Sequence, residues 1–341
     1  MTFSFYTYTL HLPFPYSIIN GKVVYGLSSG RQKMKSPPAT GSGIEWSKNM
    51  TSKTDEITRE YLNSILITPR YLDSDLPDLS VTLLGQPCRT PVMTAALSHL
   101  HNVCEDGMVE FAKGARDAGA LHFVGMGEDN ELERIIETGA KTVKIIKPHA
   151  DDAEVFRRME HAVSHGAVAV GMDIDHAISS NGQYDNVFGL PMRPKTTKQL
   201  REYVKMANVP FVVKGVLSAR DAEKAVEAGA SAIIVSHHHG IMDCMVPPLL
   251  VLPEIVRAVD HQLTIFVDCD IECGMDVFKA LALGADAVGI GRALMDPLKQ
   301  GSRGVTEKIA QINAELRTVM ARTGAHTLKE IDPSVLRFRS F

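Results

Sequence analysis

The chain has 341 residues, 45% of them hydrophobic and 22% charged, with a formal net charge of −4. That composition suits an ordinary globular protein and excludes a disordered polar chain. Basic residues are scattered, so nothing points to nucleic acid or an anionic membrane surface, and no apolar run approaches the roughly 18 residues of a membrane span.

The first 54 residues read as an extension, loosely attached or preceding the true start. The stretch from Thr2 to Leu27 is aromatic-rich and broken by prolines, and Lys33–Gly43 (KMKSPPATGSG) reads as a linker. Residues 55–341 read as one domain. From Pro91 onward, short apolar β-prone runs alternate with amphipathic helical stretches. The runs are Pro91–Ala95, Leu121–Met126, Thr142–Lys147, Ala167–Asp173, Val209–Lys214, Ala232–Ser236, Leu263–Asp268 and Ala287–Gly291. Between them, 219–228 (ARDAEKAVEA) predicts a helix with Ser218 as N-cap and Gly229 as stop, and 276–283 (DVFKALAL) predicts one ending at Gly284. Strand runs with little alternation imply a parallel sheet buried on both faces. Eight such units close naturally into a (β/α)8 barrel. No GxGxxG turn follows the first strand, which disfavours an open doubly wound sheet.

In such a barrel the chemistry belongs at the C-terminal strand ends. Those ends offer Ser98, His99 and His101 after the first strand, and Lys147 and His149 after the third. The fourth gives Asp173, Asp175 and His176, the fifth Lys214, and the sixth Ser236, His237, His238 and His239. Asp268 and Asp270 follow the seventh, Gly291 and Arg292 the eighth. A lone loop histidine is usually a solvated group; several converging on one face point to a site. Lys214 ends a buried apolar strand and faces a desolvation cost, so it reads as a cation aimed at an anion or an electron-rich ring, against snorkelling to the rim. The glycines and arginine of Gly289–Arg292 (GIGR) sit where barrels commonly hold phosphate.

At this point the residues carry a resemblance. MDVFKALALGADAVGIGRALM, FVVKGVLSARDAEKAVEAGASAIIVS and VPPLLVLPEIV resemble the FMN-dependent 2-hydroxy-acid oxidase and dehydrogenase family, which includes glycolate and lactate oxidases. So do ITPRYLDSDLPDLSVTLLGQPCRTPVM and ELRTVMARTGAHTLKEIDPSVL, and the similarity covers about residues 55–335. It implies a (β/α)8 barrel, FMN as cofactor, and hydride transfer from a small-molecule substrate to flavin N5. It places the flavin-facing lysine on Lys214 and, through SNHGGRQ against SHHHGIM, the base on His238. It implies Ala95, Lys144, Ser236, Asp268, Gly291 and Arg292 as further FMN-binding positions, and a homo-oligomer.

The departures matter as much. The family arginine that holds the substrate carboxylate falls on Ile241, and a second falls near His176. DGGxRRG has become DCDIECG, with Glu272 where a phosphate-loop arginine stands. The glutamine and tyrosine of QLY fall on Lys144 and Ile146, and the proline-threonine pair after the first strand on Ala96 and Leu97. The expectation is an FMN-dependent oxidoreductase with an altered substrate, whose polar group is met by His176, His237 or His239. A metal-dependent hydrolase or lyase using the histidines with Asp173, Asp175, Asp268 and Asp270 is the alternative, and a non-catalytic binding barrel a third. Five cysteines without a paired CxxC pattern imply reduced thiols and the cytoplasm.

Overall fold

A computed structural model describes two strands in the N-terminal segment and residues 52–339. In the N-terminal unit, Ser17–Ile19 and Lys22–Val24 pair as an antiparallel hairpin. The linker expected at residues 33–43 lies outside the described residues. The expected end of the extension at residue 54 falls inside a helix, α1 (Lys53–Ser64). Ser52 and Asp55 form its capping box, each side chain meeting the other's backbone N–H. Thr54 and Asp55 are buried, so the ordered unit starts before residue 55.

The eight expected runs form eight parallel strands: β1 (Val92–Thr94), β2 (His122–Val124), β3 (Thr142–Ile146), β4 (Ala169–Asp173), β5 (Phe211–Val216), β6 (Ala232–Val235), β7 (Thr264–Val267) and β8 (Ala287–Ile290). Their hydrogen-bonded order is β1-β8-β7-β6-β5-β4-β3-β2. Beyond that sheet, Gly125 N donates to Leu97 O at 2.8 Å and Thr94 N to Leu121 O at 3.2 Å, which brings β1 and β2 together and nearly closes the barrel. The strands are buried on both faces, as the unalternating runs imply. Met93, Phe123, Val143, Ile145, Val212, Ile234 and Phe266 belong to an inner core, with Phe123 and Phe266 edge to face at 5.5 Å. The other strand faces pack in a second, larger core against the helices.

The helices are α2 (Gly107–Ala118), α3 (Asp129–Glu137), α4 (Asp152–Ser164), α5 (Thr197–Met206), α6 (Ala219–Ala228), α7 (Pro248–Val259), α8 (Gly274–Ala282), a short α9 (Met295–Leu298) and α10 (Gly301–Arg322). α6 has the bounds, Ser218 cap and Gly229 stop expected of it. α8 begins two residues earlier than the sequence suggests, after Cys273.

Two hairpins were not expected. Val81–Leu83 and Gln86–Cys88 pair just ahead of β1 and send Leu83 and Cys88 into the inner core. Asn186–Val187 and Leu190–Pro191 form an excursion between β4 and α5. Its Phe188 ring lies 5.4 Å from the His99 ring in the loop after β1.

Candidate active site

β4 and β5 run side by side with Asp173 opposite Lys214. Asp173 is almost fully buried, and two lysines share it: Lys147 Nζ at 2.7 Å from Oδ2 and Lys214 Nζ at 3.1 Å from Oδ1. Burial alone would raise the Asp173 pKa. The two ammonium groups overcome it and hold the carboxyl well below its usual range. Burial would likewise lower the Lys214 pKa, but Asp173, Asp268 and Asp175 push it above its ordinary value. Lys214 therefore stays a cation, and the trio carries one positive charge more than its carboxylate cancels.

The segment after β6 turns sharply. His238 and His239 both adopt positive φ, +50° and +55°, and the His238 N–H donates to Ser236 Oγ at 3.1 Å. This turn sets the His238 ring beside the charged trio. Its Nδ1 lies 3.0 Å from Asp175 Oδ1 and 3.4 Å from Lys214 Nζ. The shorter contact assigns the Nδ1 proton to Asp175, which leaves Nε2 with a lone pair. A histidine held by a carboxylate at one nitrogen and free at the other is a general base. The His176 ring sits 5.1 Å from His238, and its Nδ1 is 2.8 Å from Asp185 Oδ2. Burial lowers its pKa and favours the neutral ring.

His237 points elsewhere. Fully buried, it places Nε2 2.9 Å from Thr58 Oγ1 on α1, and Nδ1 accepts from Gly240 N at 3.1 Å. Both nitrogens are spent on the fold, so neither faces a substrate. His239 Nδ1 lies 3.2 Å from Asp55 Oδ1 and belongs with Arg292 rather than with His238.

Lys144 also departs from its expected position. Val143 and Ile145 belong to the inner core, and strand alternation puts Lys144 on the opposite face. It donates to Gly125 O at 2.5 Å, and burial pulls its pKa down to about 8. The lysine that reaches Asp173 at the mouth is Lys147, just past the end of β3. Between these residues and the loops after β1 and β2 opens a cavity of about 620 Å³, lined among others by His99, His101, Met126, Lys144, Lys147 and His149. His149 is held neutral by burial, with a pKa of about 4.

At the ends of β7 and β8 the chain supplies its own counterions. Arg292 Nη2 lies 3.0 Å from Asp55 Oδ1 and 3.3 Å from Asp270 Oδ1. Asp270 also takes Arg59 Nε at 2.7 Å, and Arg59 Nη1 reaches Asp276 at 3.1 Å. Glu272, expected to repel a phosphate, points outward: its side chain is 57% exposed and 3.5 Å from Arg59. The carboxylates facing Arg292 are Asp55 and Asp270. Asp268 is buried and accepts from Cys269 Sγ at 3.1 Å. Gly291 packs against Ala95, where an added Cβ would come within 3.4 Å of the Ala95 Cβ.

The flavin that the sequence resemblance implies can be tested against these groups. Buried polar atoms without partners gather at the mouth and the adjoining cavity: Asp175 Oδ2, His99 Nε2 and His149 Nδ1. Unsatisfied buried groups are costly unless a polar ligand completes them. With Lys214 as a fixed cation, they fit the polar edge of a flavin ring. At the phosphate end, Arg292 fits once it exchanges carboxylate for phosphate.

The metal alternative finds one cluster here. Asp173, Asp175 and His238 each present a ligand atom within 4.8 Å of the others. Lys147 and Lys214 already occupy Asp173, and a dication would have to compete with both. His99 and His101, edge to face at 6.2 Å, line the cavity and are not part of that cluster. Sequence reasoning missed Asp55 and Arg59, because both precede the first strand, where no barrel rule looks for site residues. The acidic first turn of α1 was the available signal.

Comparison with known proteins agrees with this fold. The chain matches the FMN-dependent dehydrogenase family over residues 45–205 and 192–338. It is 30% identical to an L-lactate oxidase of Nostoc sp., covering 83% of this chain and 90% of that one. It is 29% identical to glycolate oxidase 3 of Arabidopsis thaliana, covering 86% and 88%. Mandelate oxidase superposes with a TM-score of 0.77 at 27% identity, over 88% of this chain and 92% of that one. A mandelate oxidase variant solved with an FMN adduct gives 0.76 at 26%, over 85% and 92%. The chain belongs to the FMN-dependent dehydrogenase family.

Proposed function

We propose that this member of the FMN-dependent dehydrogenase family oxidises a CH–OH centre with His238 as general base, on a substrate other than a simple 2-hydroxy acid. The observation that carries the reading is the His238 ring, pinned through Nδ1 by Asp175 at 3.0 Å beside the Lys214 cation. Held beside Lys214, FMN would supply the hydride acceptor for the substrate carbon. His238 Nε2 takes the hydroxyl proton, so the carbon centre loses a hydride and a proton and becomes a carbonyl. Asp175 accepts from Nδ1, which in the neutral ring leaves the lone pair on Nε2, and it stabilises the imidazolium that results. Lys214 offers a fixed positive charge to negative charge developing on the ring. Gly291 and Arg292, with Ala95 and Asp268 nearby, mark the phosphate end, and Ser236 orients the His238 turn.

The altered substrate rests on Ile241, which cannot pair with a carboxylate, and on His176, a neutral ring where an arginine would clamp one. Losing a charge-assisted pair removes a few kcal/mol of anion binding. His176, a neutral ring beside His238, favours a hydrogen-bonded polar group over an isolated carboxylate. Five unpaired thiols support a reducing, cytoplasmic setting.

The test is anaerobic flavin bleaching. FMN-loaded protein is mixed with lactate, glycolate and mandelate, and in parallel with their amides and methyl esters. The neutral derivatives should reduce the flavin at lower concentration than the acids. His238→Ala should keep its flavin and lose reduction by about 10²-fold or more. Preference for the free acids would refute the altered substrate, and unchanged bleaching in His238→Ala would remove that residue from the mechanism.

A further inference from the structure

Outside the barrel, α3 and the C-terminal end of α4 bring together Glu133, His161 and His165. The histidines are four residues apart, His161 in the last turn of α4 and His165 as its C-cap, and Glu133 reaches across from α3. His161 Nε2 is 3.0 Å from Glu133 Oε1, and His165 Nε2 is 3.6 Å from the same oxygen. One ligand atom from each residue falls within 4.8 Å of the others. Two nitrogens and an oxygen around zinc stand about 3.3 Å apart, given bonds of about 2.0–2.1 Å and tetrahedral angles. The two nitrogen-to-oxygen separations, 3.0 and 3.6 Å, bracket that value.

The hydrogen bonding around the cluster is that of an incomplete site. His165 Nδ1 lies 2.8 Å from the carbonyl oxygen of His161, so it carries the proton and donates. In the neutral ring Nε2 is then a lone pair that faces a carboxylate oxygen across 3.6 Å. A cation between them bonds both. His161 shows the complementary signature. Its Nδ1 is buried with no hydrogen-bond partner, and the Asp129 carboxylate lies 4.0 Å away. Without a cation, the His161 proton must sit on Nε2 to satisfy Glu133. With a cation on Nε2, the proton moves to Nδ1, where it faces Asp129. Metal-bound histidines commonly present their second nitrogen to a carboxylate or a backbone carbonyl in this way. Asp129 is itself steadied by Arg157 at 2.6 Å.

We propose that Glu133, His161 and His165 form a zinc site that clasps α3 to α4, separate from the catalytic mouth. Imidazole nitrogens with one carboxylate suit zinc among the common divalent ions, whereas calcium and magnesium require oxygen cages. The His165 side chain is 42% exposed and that of Glu133 40%, which leaves the fourth position to water and gives the ion an entry path. The site braces two helices of the outer layer, so its effect is on stability and not on the reaction.

Untagged full-length protein, stripped with a chelator, is titrated with zinc chloride by calorimetry, and with cobalt chloride while visible absorption is recorded. One equivalent of zinc should bind, and cobalt should give the d–d bands of a nitrogen- and oxygen-ligated ion. At a 100-fold excess of zinc over Kd, Tm should rise by roughly 5 °C. His161→Gln/His165→Gln and, separately, Glu133→Gln should bind zinc at least tenfold more weakly and lose the Tm rise. These positions face solvent or the helix surface, and circular dichroism checks that each variant is folded. Asp129→Asn should bind roughly tenfold more weakly with the cobalt spectrum kept. Failure of the wild type to take up zinc would overturn the proposal. So would uptake that the double variant retains, since the ion would then sit elsewhere.

Discussion

Replacing Asp270 with glycine tests the electrostatics of the phosphate end. Asp270 holds Arg59 at 2.7 Å and Arg292 at 3.3 Å, and it does so from a left-handed backbone, φ +60°. Glycine removes the carboxylate and relaxes that conformation. An FMN phosphate entering the wild-type site must compete with Asp55 and Asp270 for Arg292. A hydrogen bond to a charged group is worth about 1.5–3 kcal/mol when well buried. The Arg292 side chain is 33% exposed and the 3.3 Å contact is long, so solvent screening reduces the cost of displacing Asp270 to about 1–1.5 kcal/mol. Asp270→Gly should therefore bind FMN roughly tenfold more tightly. Riboflavin, which has the same ring and no phosphate, should bind as it does to the wild type. Quenching of flavin fluorescence, titrated with both compounds, reads the two affinities side by side. Equal gains for FMN and riboflavin would show that the substitution acts on the ring pocket or on stability. A loss of FMN affinity would show that Asp270 supports the site rather than competing for it.

Two further predictions follow from the same geometry. Asp175→Ala leaves His238 without the acceptor that fixes its tautomer, so kcat should fall by roughly 10²-fold with KM little changed; an unchanged kcat would mean Asp173 or solvent orients the ring. His122 is fully buried against Thr94 Oγ1 at 2.9 Å, and burial depresses its pKa to about 3. The unfolded chain takes up this proton near pH 6.5 and the folded chain does not, so the stability His122 contributes is complete above about pH 6.5 and is lost as pH falls toward 3. His122→Asn should shrink the drop in Tm between pH 7 and pH 4 relative to the wild type; an equal drop would assign the acid lability to other groups.

Much of this protein was legible in the sequence because it depends on short-range pattern. Eight apolar runs, each buried on both faces, could only be strands of a covered parallel sheet, and their spacing required helices between them. α6 was legible to the residue, since Ser218 and Gly229 set its ends by local capping chemistry. Lys214 was found because the end of a barrel strand has one direction to point, whereas among the three histidines after β6 only the family resemblance singled out His238. Tertiary structure decided what sequence distance conceals. Lys144 lies on β3 and Lys147 just past its end, and from opposite faces Lys144 reaches Gly125 O while Lys147 reaches Asp173. His237 and His238 are adjacent, yet one anchors α1 through Thr58 and the other faces Asp175, because the backbone turns left-handed between them. Asp55 and Arg59 entered the site from a helix that precedes the barrel. Their role depends on charges more than 200 residues away, a pairing fixed only when the folded chain brings those charges within a few ångströms.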